Sequence, residues 1–165
     1  MKVSSLILLL MTSAVSMAQN ATTVKKTFSR ETTVSIDIKA DASIVWALLT
    51  NASDFPRWNS TIISLEGEIK KGEKIRLKST LDEKRIFKLK VKEMDTEKRM
   101  VWGDGKGMRV YTITENGNGI AFNMTEKIGG LMFPMYAKYI PPFDASFNQF
   151  ATDLKKEAEI ISNTK

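Results

Sequence analysis

From residue 61 the chain alternates apolar and polar residues with a period of two, in short runs broken by tight turns, and then ends in one long segment of helical period. A period of two puts one side of each run in the core and the other in water, as in a half-buried strand. The runs are Thr61–Glu68, Glu73–Thr80, Arg85–Met94, Arg99–Gly103, Met108–Glu115 and Ile120–Lys127. Lys71-Gly72, Leu81–Lys84, Asp95–Lys98, the glycine-rich loop Gly103–Gly107 and Glu115-Asn116-Gly117-Asn118 separate them. Connections this short pair neighbouring strands antiparallel. The final segment starts at Asp144, a candidate cap, and runs to about Ser162, with Phe147, Phe150, Leu154, Ala158 and Ile161 on one face.

Upstream, Val34, Ile36 and Ile38 alternate with Thr33, Ser35 and Asp37 in a first strand, Thr32–Lys39. Asp41 is placed to cap a short helix carrying Ile44, Val45, Leu48 and Leu49. Asn51–Asn59 holds a second helical piece with Phe55, Pro56 and Trp58. The final helix must bury its apolar face, and the only large partner is the sheet. The reading is an α+β fold: a curved antiparallel sheet of about six to seven strands wrapped around a long C-terminal helix, with two short helices after the first strand. A curved sheet around one helix tends to leave an apolar cavity, and such cavities host ligands.

The N-terminus reads as a targeting segment over residues 1–18: Lys2 is basic, Leu6–Met11 is apolar, and Ser16-Met17-Ala18 presents small residues for cleavage. The expected address is therefore outside the cytoplasm, periplasmic or secreted, and the alternative is an uncleaved anchor. Residues 19–30 are polar and read as a flexible lead-in, followed by the domain at 31–163. After cleavage no integral membrane segment is expected. About 145 residues remain, enough for one core, and without cysteine that core must stand without disulfides. The net charge of +6 raises the question of nucleic acid, but Lys88, Lys90 and Lys92 alternate with Phe87, Leu89 and Val91, as on the wet face of a strand. No nucleic-acid partner is expected, and the chain is read as a monomer.

The run Val34-Ser35-Ile36-Asp37-Ile38-Lys39-Ala40-Asp41-Ala42 into Ile44-Val45-Trp46-Ala47-Leu48-Leu49-Thr50, then Asp54-Phe55-Pro56-Arg57-Trp58-Asn59, resembles the helix-grip START-like (SRPBCC) superfamily, in its polyketide cyclase/dehydrase-like bacterial branch. Arg99-Met100-Val101-Trp102-Gly103 and Leu154–Glu159 are similar to later family segments. The resemblance covers roughly residues 33–159 and implies a helix-grip fold and a ligand-sized cavity. Its members bind lipids, carry sterols, close polyketide rings or serve as partner domains, so it implies no single function.

The chain has neither histidine nor cysteine, which removes nucleophilic triads, His- or Cys-based metal sites and the usual acid–base group at neutral pH. No metal or cofactor is expected. Folding the Asn116-Gly117 hairpin with Ile113 opposite Ile120 puts Tyr111 across from Phe122 and Arg109 across from Met124, with Glu126 diagonal to Arg109. Arg109, Glu126 and Tyr111 are thus the candidate catalytic groups for a cyclase- or dehydratase-like enzyme, and a structural ion pair is the alternative. Candidate ligand-binding residues are Trp58, Phe87, Trp102, Arg109, Tyr111, Phe122, Met124, Met132, Phe133, Tyr136 and Phe147. The apolar, proline-broken stretch Leu131–Phe143 reads as a lid or a packed connection. The scarcity of catalytic residue types favours binding or carriage of a small hydrophobic molecule or lipid over an enzyme, with a protein-partner module as a third reading.

Overall fold

A computed structural model describes residues 20–164 of the chain, so the expected targeting segment lies outside the described residues. The strands are β1 (Thr22–Lys26), β2 (Ser29–Ile38), β3 (Ile62–Glu66), β4 (Lys74–Ser79), β5 (Asp82–Asp95), β6 (Arg99–Gly103), β7 (Gly107–Glu115) and β8 (Ile120–Gly129). The helices are α1 (Ala42–Thr50), α2 (Phe55–Trp58), α3 (Phe133–Tyr136) and α4 (Asp144–Asn163). All eight strands form one antiparallel sheet in the order β1-β2-β8-β7-β6-β5-β4-β3. This is the expected α+β helix-grip architecture, with α1 and α2 following β2.

The inward face of each strand follows its alternation. Arg30, Thr32, Val34 and Ile38 of β2 are buried, as are Phe122 and Met124 of β8 and Ile75 and Leu77 of β4. Helix α4 lies against β2, β8 and α1. It buries Phe147, Phe150, Ala151, Leu154 and Ala158. The Phe150 ring is the hub of the core, with centroids 6.3 Å from Phe55, 5.8 Å from Trp58, 6.0 Å from Tyr111 and 6.4 Å from Phe122. Asn59 is also buried: its amide donates to the Phe150 carbonyl, and its side-chain oxygen accepts from Thr61.

Four expectations are corrected. The stretch expected as a lead-in carries a strand, because β1 (Thr22–Lys26) pairs with β2 in a hairpin and makes eight strands rather than six or seven. Its anchors are remote in sequence: Thr23 Oγ1 donates to Asp144 Oδ1 (2.9 Å) and Ala21 N–H to Asn148 Oδ1 (2.6 Å). Neither Asp41 nor Asp144 caps its helix through its side chain, and the Asp144 carboxylate serves Thr23 instead. Strand β5 takes in the polar stretch after Leu81, with Asp82 opposite Ser79. The β7–β8 register lies two residues from the expected one, with Ile113 opposite Phe122, Tyr111 opposite Met124 and Arg109 directly opposite Glu126. The turn residues are Gly117-Asn118, with positive φ at Gly117 as in a type II′ turn. Gly119 permits this: its φ is +134°, and a Cβ there would lie 2.2 Å from the Ile38 carbonyl oxygen. A slip of two keeps every side chain on its face, so the inward set is unchanged.

Candidate functional site

Helix α4 fills the concave face only along its own length. Beyond its N-terminus the sheet has no helix to grip, and a cavity of about 240 Å³ remains. Its floor is apolar, with Leu77 from β4, Phe87 and Leu89 from β5 and Trp102 from β6. Arg109 of β7 and Glu126 of β8 supply a polar wall. Tyr136, Tyr139, Ile140, Pro141 and Phe143, from the connection before α4, close the other side. Asp82, Arg85, Asp104 and Lys106 complete the lining.

The polar wall follows from the cross-strand register. Arg109 donates through Nε and Nη2 to Glu126 Oε2, both at 2.5 Å, and the two side chains keep only 13% and 16% of their exposure. The Arg109 guanidinium also lies over the Phe147 ring, 5.1 Å from its centroid. Burial works against the Arg109 charge, but Glu126 outweighs it and holds the guanidinium pKa above its ordinary value. Burial likewise raises the Tyr111 phenol pKa above its usual value, with Arg109 pulling the other way. The Tyr111 hydroxyl is buried and has no hydrogen-bond partner. The site therefore holds the Arg109–Glu126 ion pair, with the buried Tyr111 hydroxyl in the core behind it.

Arg30 fastens the covering connection to the sheet. It donates to the carbonyls of Ile140 (3.1 Å) and Pro141 (2.7 Å), and its guanidinium stacks 4.7 Å above the Phe143 ring. Burial lowers its pKa, while Asp144 and Glu126 favour its charge. At the mouth, Lys106 lies over the Tyr136 ring and Arg85 over Phe87.

Of the candidate residues, the structure brings Phe87, Trp102, Arg109, Glu126 and Tyr136 together around the cavity. Met124 and Phe147 instead border a separate void of about 10 Å³ on the far side of Arg109, room for about one water. Trp58, Tyr111 and Phe122 are core, not lining: Trp58 packs edge-on against Phe150, Tyr111 edge-on against Trp102, and Phe122 stacks on Phe150. Phe133 is buried against Tyr136 outside the cavity, and Met132 is 57% exposed. The reason is depth. Alternation separates inward from outward side chains, but only the extent of α4 decides which inward ones meet an empty space. Arg30, Leu77, Leu89, Tyr139, Ile140 and Pro141 are not among the candidates. The proline-broken character of residues 131–143 is the available signal for the last three.

A curved sheet gripping one helix, with an apolar cavity and a buried ion pair past the helix end, defines a cavity-bearing helix-grip protein. Residues 29–159 match the polyketide cyclase / dehydrase and lipid transport family, and the chain belongs to that family. Protein MLL2253 from Mesorhizobium loti has the same fold, with 15% identity and a TM-score of 0.63 over 82% of this chain and 99% of that one. Protein EF2215 from Enterococcus faecalis matches with 14% identity and a TM-score of 0.62, over 84% and 77% of the two chains. DynU16, a protein of the dynemicin biosynthetic locus, matches with 16% identity and a TM-score of 0.59, over 81% of this chain and 48% of that one. Among curated proteins no match is found by sequence. Among the described residues no helix is long and apolar enough to cross a membrane.

Proposed function

We propose that this is an exported protein that binds or carries a small hydrophobic molecule or lipid in the cavity beyond α4. The observation that carries the reading is the cavity itself: an aliphatic and aromatic floor, the buried Arg109–Glu126 couple, the further charged lining of Asp82, Arg85, Asp104 and Lys106, and a covering segment pinned by Arg30. Pockets that bind small ligands have this composition, mostly apolar with a few placed polar groups. The volume of about 240 Å³ is small and suits a single compact apolar group or chain. In this reading the apolar part lies on Trp102, Phe87 and Leu77, and a polar end meets Arg109 and Glu126. The signal-like segment at residues 1–18 supports export.

Native mass spectrometry of the chain purified from its own host, followed by organic extraction, tests the proposal. A co-purifying apolar species at near-equal stoichiometry supports it. A clean apo mass, together with no change in Trp102 fluorescence on titration with fatty acids or isoprenoid alcohols, refutes it.

A second reading, a cyclase- or dehydratase-like enzyme, draws on Glu126 facing the cavity. Its carboxylate is engaged by Arg109, and Tyr111 does not reach the cavity, so a base would have to be released from an ion pair. Turnover of a polyketide-like substrate that is lost in Glu126→Gln would favour this reading over carriage.

A further inference from the structure

The segment that covers the cavity has an outer side as well as an inner one. On that outer side Leu131 is 83% exposed, Met132 57%, Met135 67% and Tyr139 74%, and Phe28 in the β1–β2 turn is 52% exposed. The Gly130 N–H donates to the Phe28 carbonyl, so the two apolar stretches adjoin. Single exposed apolar residues are ordinary, but five on one small part of the surface are not.

The charge around them is mostly positive, with Asp104, whose carboxylate accepts from the Lys106 N–H, the acid beside that group. Residues 127–143 contain Lys127 and Lys138 and no acid. Lys106 joins the group, because its carbonyl accepts from Gly129 N–H and its ammonium lies over Tyr136. Lys26 flanks Phe28 in the chain. The acid that stands closest in the ladder is Glu31, opposite Lys127, and no ion pair joins them among the described residues.

We infer that this face, the outer side of residues 131–139 with Phe28, docks the protein on an anionic lipid bilayer. Leucine, methionine and aromatic tips ringed by lysines, with a tyrosine at the boundary, match the two layers of such a surface: apolar groups enter among the acyl chains, and lysines remain at the phosphate level. A protein partner usually meets a groove or a flat patch with mixed polar pairing. Here the apolar tips come from short helical turns outside the sheet, and their surroundings offer a partner mainly positive charge.

This inference goes beyond the cavity reading in one respect: a docked face made of the covering segment would put the cavity's outer wall at the bilayer surface. Its test needs no cavity ligand, so a failed ligand search and a failed docking test are separate results.

The test is co-sedimentation with vesicles of equal parts phosphatidylglycerol and phosphatidylcholine, against vesicles of phosphatidylcholine alone. The chain used begins at Asn20, which keeps the whole core described above and leaves out the apolar N-terminal run. The expected result is binding to the anionic vesicles that weakens with added salt. Lys127→Ala/Lys138→Ala should weaken it by about 25-fold, roughly fivefold per lysine. Leu131→Asp/Met135→Asp should abolish it, while Ile160→Asp, a half-exposed apolar site on α4, should leave it unchanged. Circular dichroism should show all variants folded, since the altered side chains lie at the surface. No binding by the unaltered chain would overturn the proposal, as would equal loss in Ile160→Asp or no loss in the face variants. A concentration-dependent dimer that Leu131→Asp dissociates, with no vesicle binding, would assign the face to a second copy and also overturn it.

Discussion

Replacing Glu126 by Gln keeps the shape of the side chain and removes one charge of the pair with Arg109. The Nη2–Oε2 distance is 2.5 Å, and the side chains are 13% and 16% exposed. Two unit charges with centres ~4 Å apart attract by about 4 kcal/mol at an effective dielectric of about 20. Removing one partner of a fully buried pair costs about 3–5 kcal/mol, because the survivor is left without compensation. Both groups face a cavity that water can enter, and Arg109 keeps the Phe147 ring, so about 2–3 kcal/mol is expected for Glu126→Gln. For a domain of this size that is a fall in Tm of about 6–10 °C. Arg109→Met should cost a similar amount. The double variant Arg109→Met/Glu126→Gln should be less destabilised than the sum of the two by about 2 kcal/mol, the coupling that marks a direct pair. Urea unfolding of the four proteins, compared at constant m-value, measures this. Single variants within about 0.5 kcal/mol of the parent, or costs that simply add, would refute the claim that the pair is buried and coupled.

Three further outcomes follow from other parts of the molecule. Phe150→Ala empties the hub where Phe55, Trp58, Tyr111 and Phe122 meet and should cost about 3–5 kcal/mol, read by thermal or urea unfolding. Lys74 stands directly opposite Lys90 on the outer face of β4 and β5, so Lys90→Glu should stabilise by about 0.2–1 kcal/mol at low salt, an effect that fades as salt is added. Burial opposes the charge of the Glu159 carboxylate, but Lys155 and the Lys39 N–H overcome this and hold its pKa below the ordinary 4.5. A lowered folded pKa means the unfolded chain binds the extra proton. The stabilisation is therefore present above the unfolded value and lost as pH falls through the folded one. Glu159→Gln should thus be less stable than the parent at pH 7, with the gap closing below about pH 4.5 in pH-resolved melts.

The parts of this fold readable from the chain were those whose signal is local. Alternation in β2, β4 and β7 and the helical stripe of α4 each state which side chains turn inward, and the structure keeps those faces. Strand β1 was hidden because it is an edge strand with little buried surface, and its partners Asp144 and Asn148 lie more than a hundred residues away. The β7–β8 register was displaced because Asn-Gly offers a turn of its own, whereas Gly119, against the Ile38 carbonyl, moves the bend one residue onward. In the site, Arg109 and Glu126 could be placed on one wall from pattern alone. Trp58 and Tyr111 could not be separated from Trp102 in the same way: all three are inward aromatics, and only the length of α4 decides which meet a void.

That length also separates stability from binding. The middle of the concave face is filled by Phe147, Phe150, Leu154 and Ala158, and the aromatic contacts of Phe150 concentrate the core there. The space beyond Asp144 is closed by a segment that contributes Tyr136, Ile140 and Phe143 and is held through its carbonyls by Arg30. A cavity left empty forfeits contacts, and in a chain without disulfides that loss must be made good elsewhere in the core. The two regions meet at Arg109, which faces Glu126 across the cavity wall and rests on Phe147 of the core helix, at Trp102, which lines the cavity and packs edge-on with Tyr111, and at Phe143, which stacks on Phe147. Changes at Leu77, Phe87 or Leu89 can therefore resize the cavity without touching the hub. Changes at Arg109 act on both regions, because the same side chain forms the polar wall of the cavity and packs on the helix that the sheet grips.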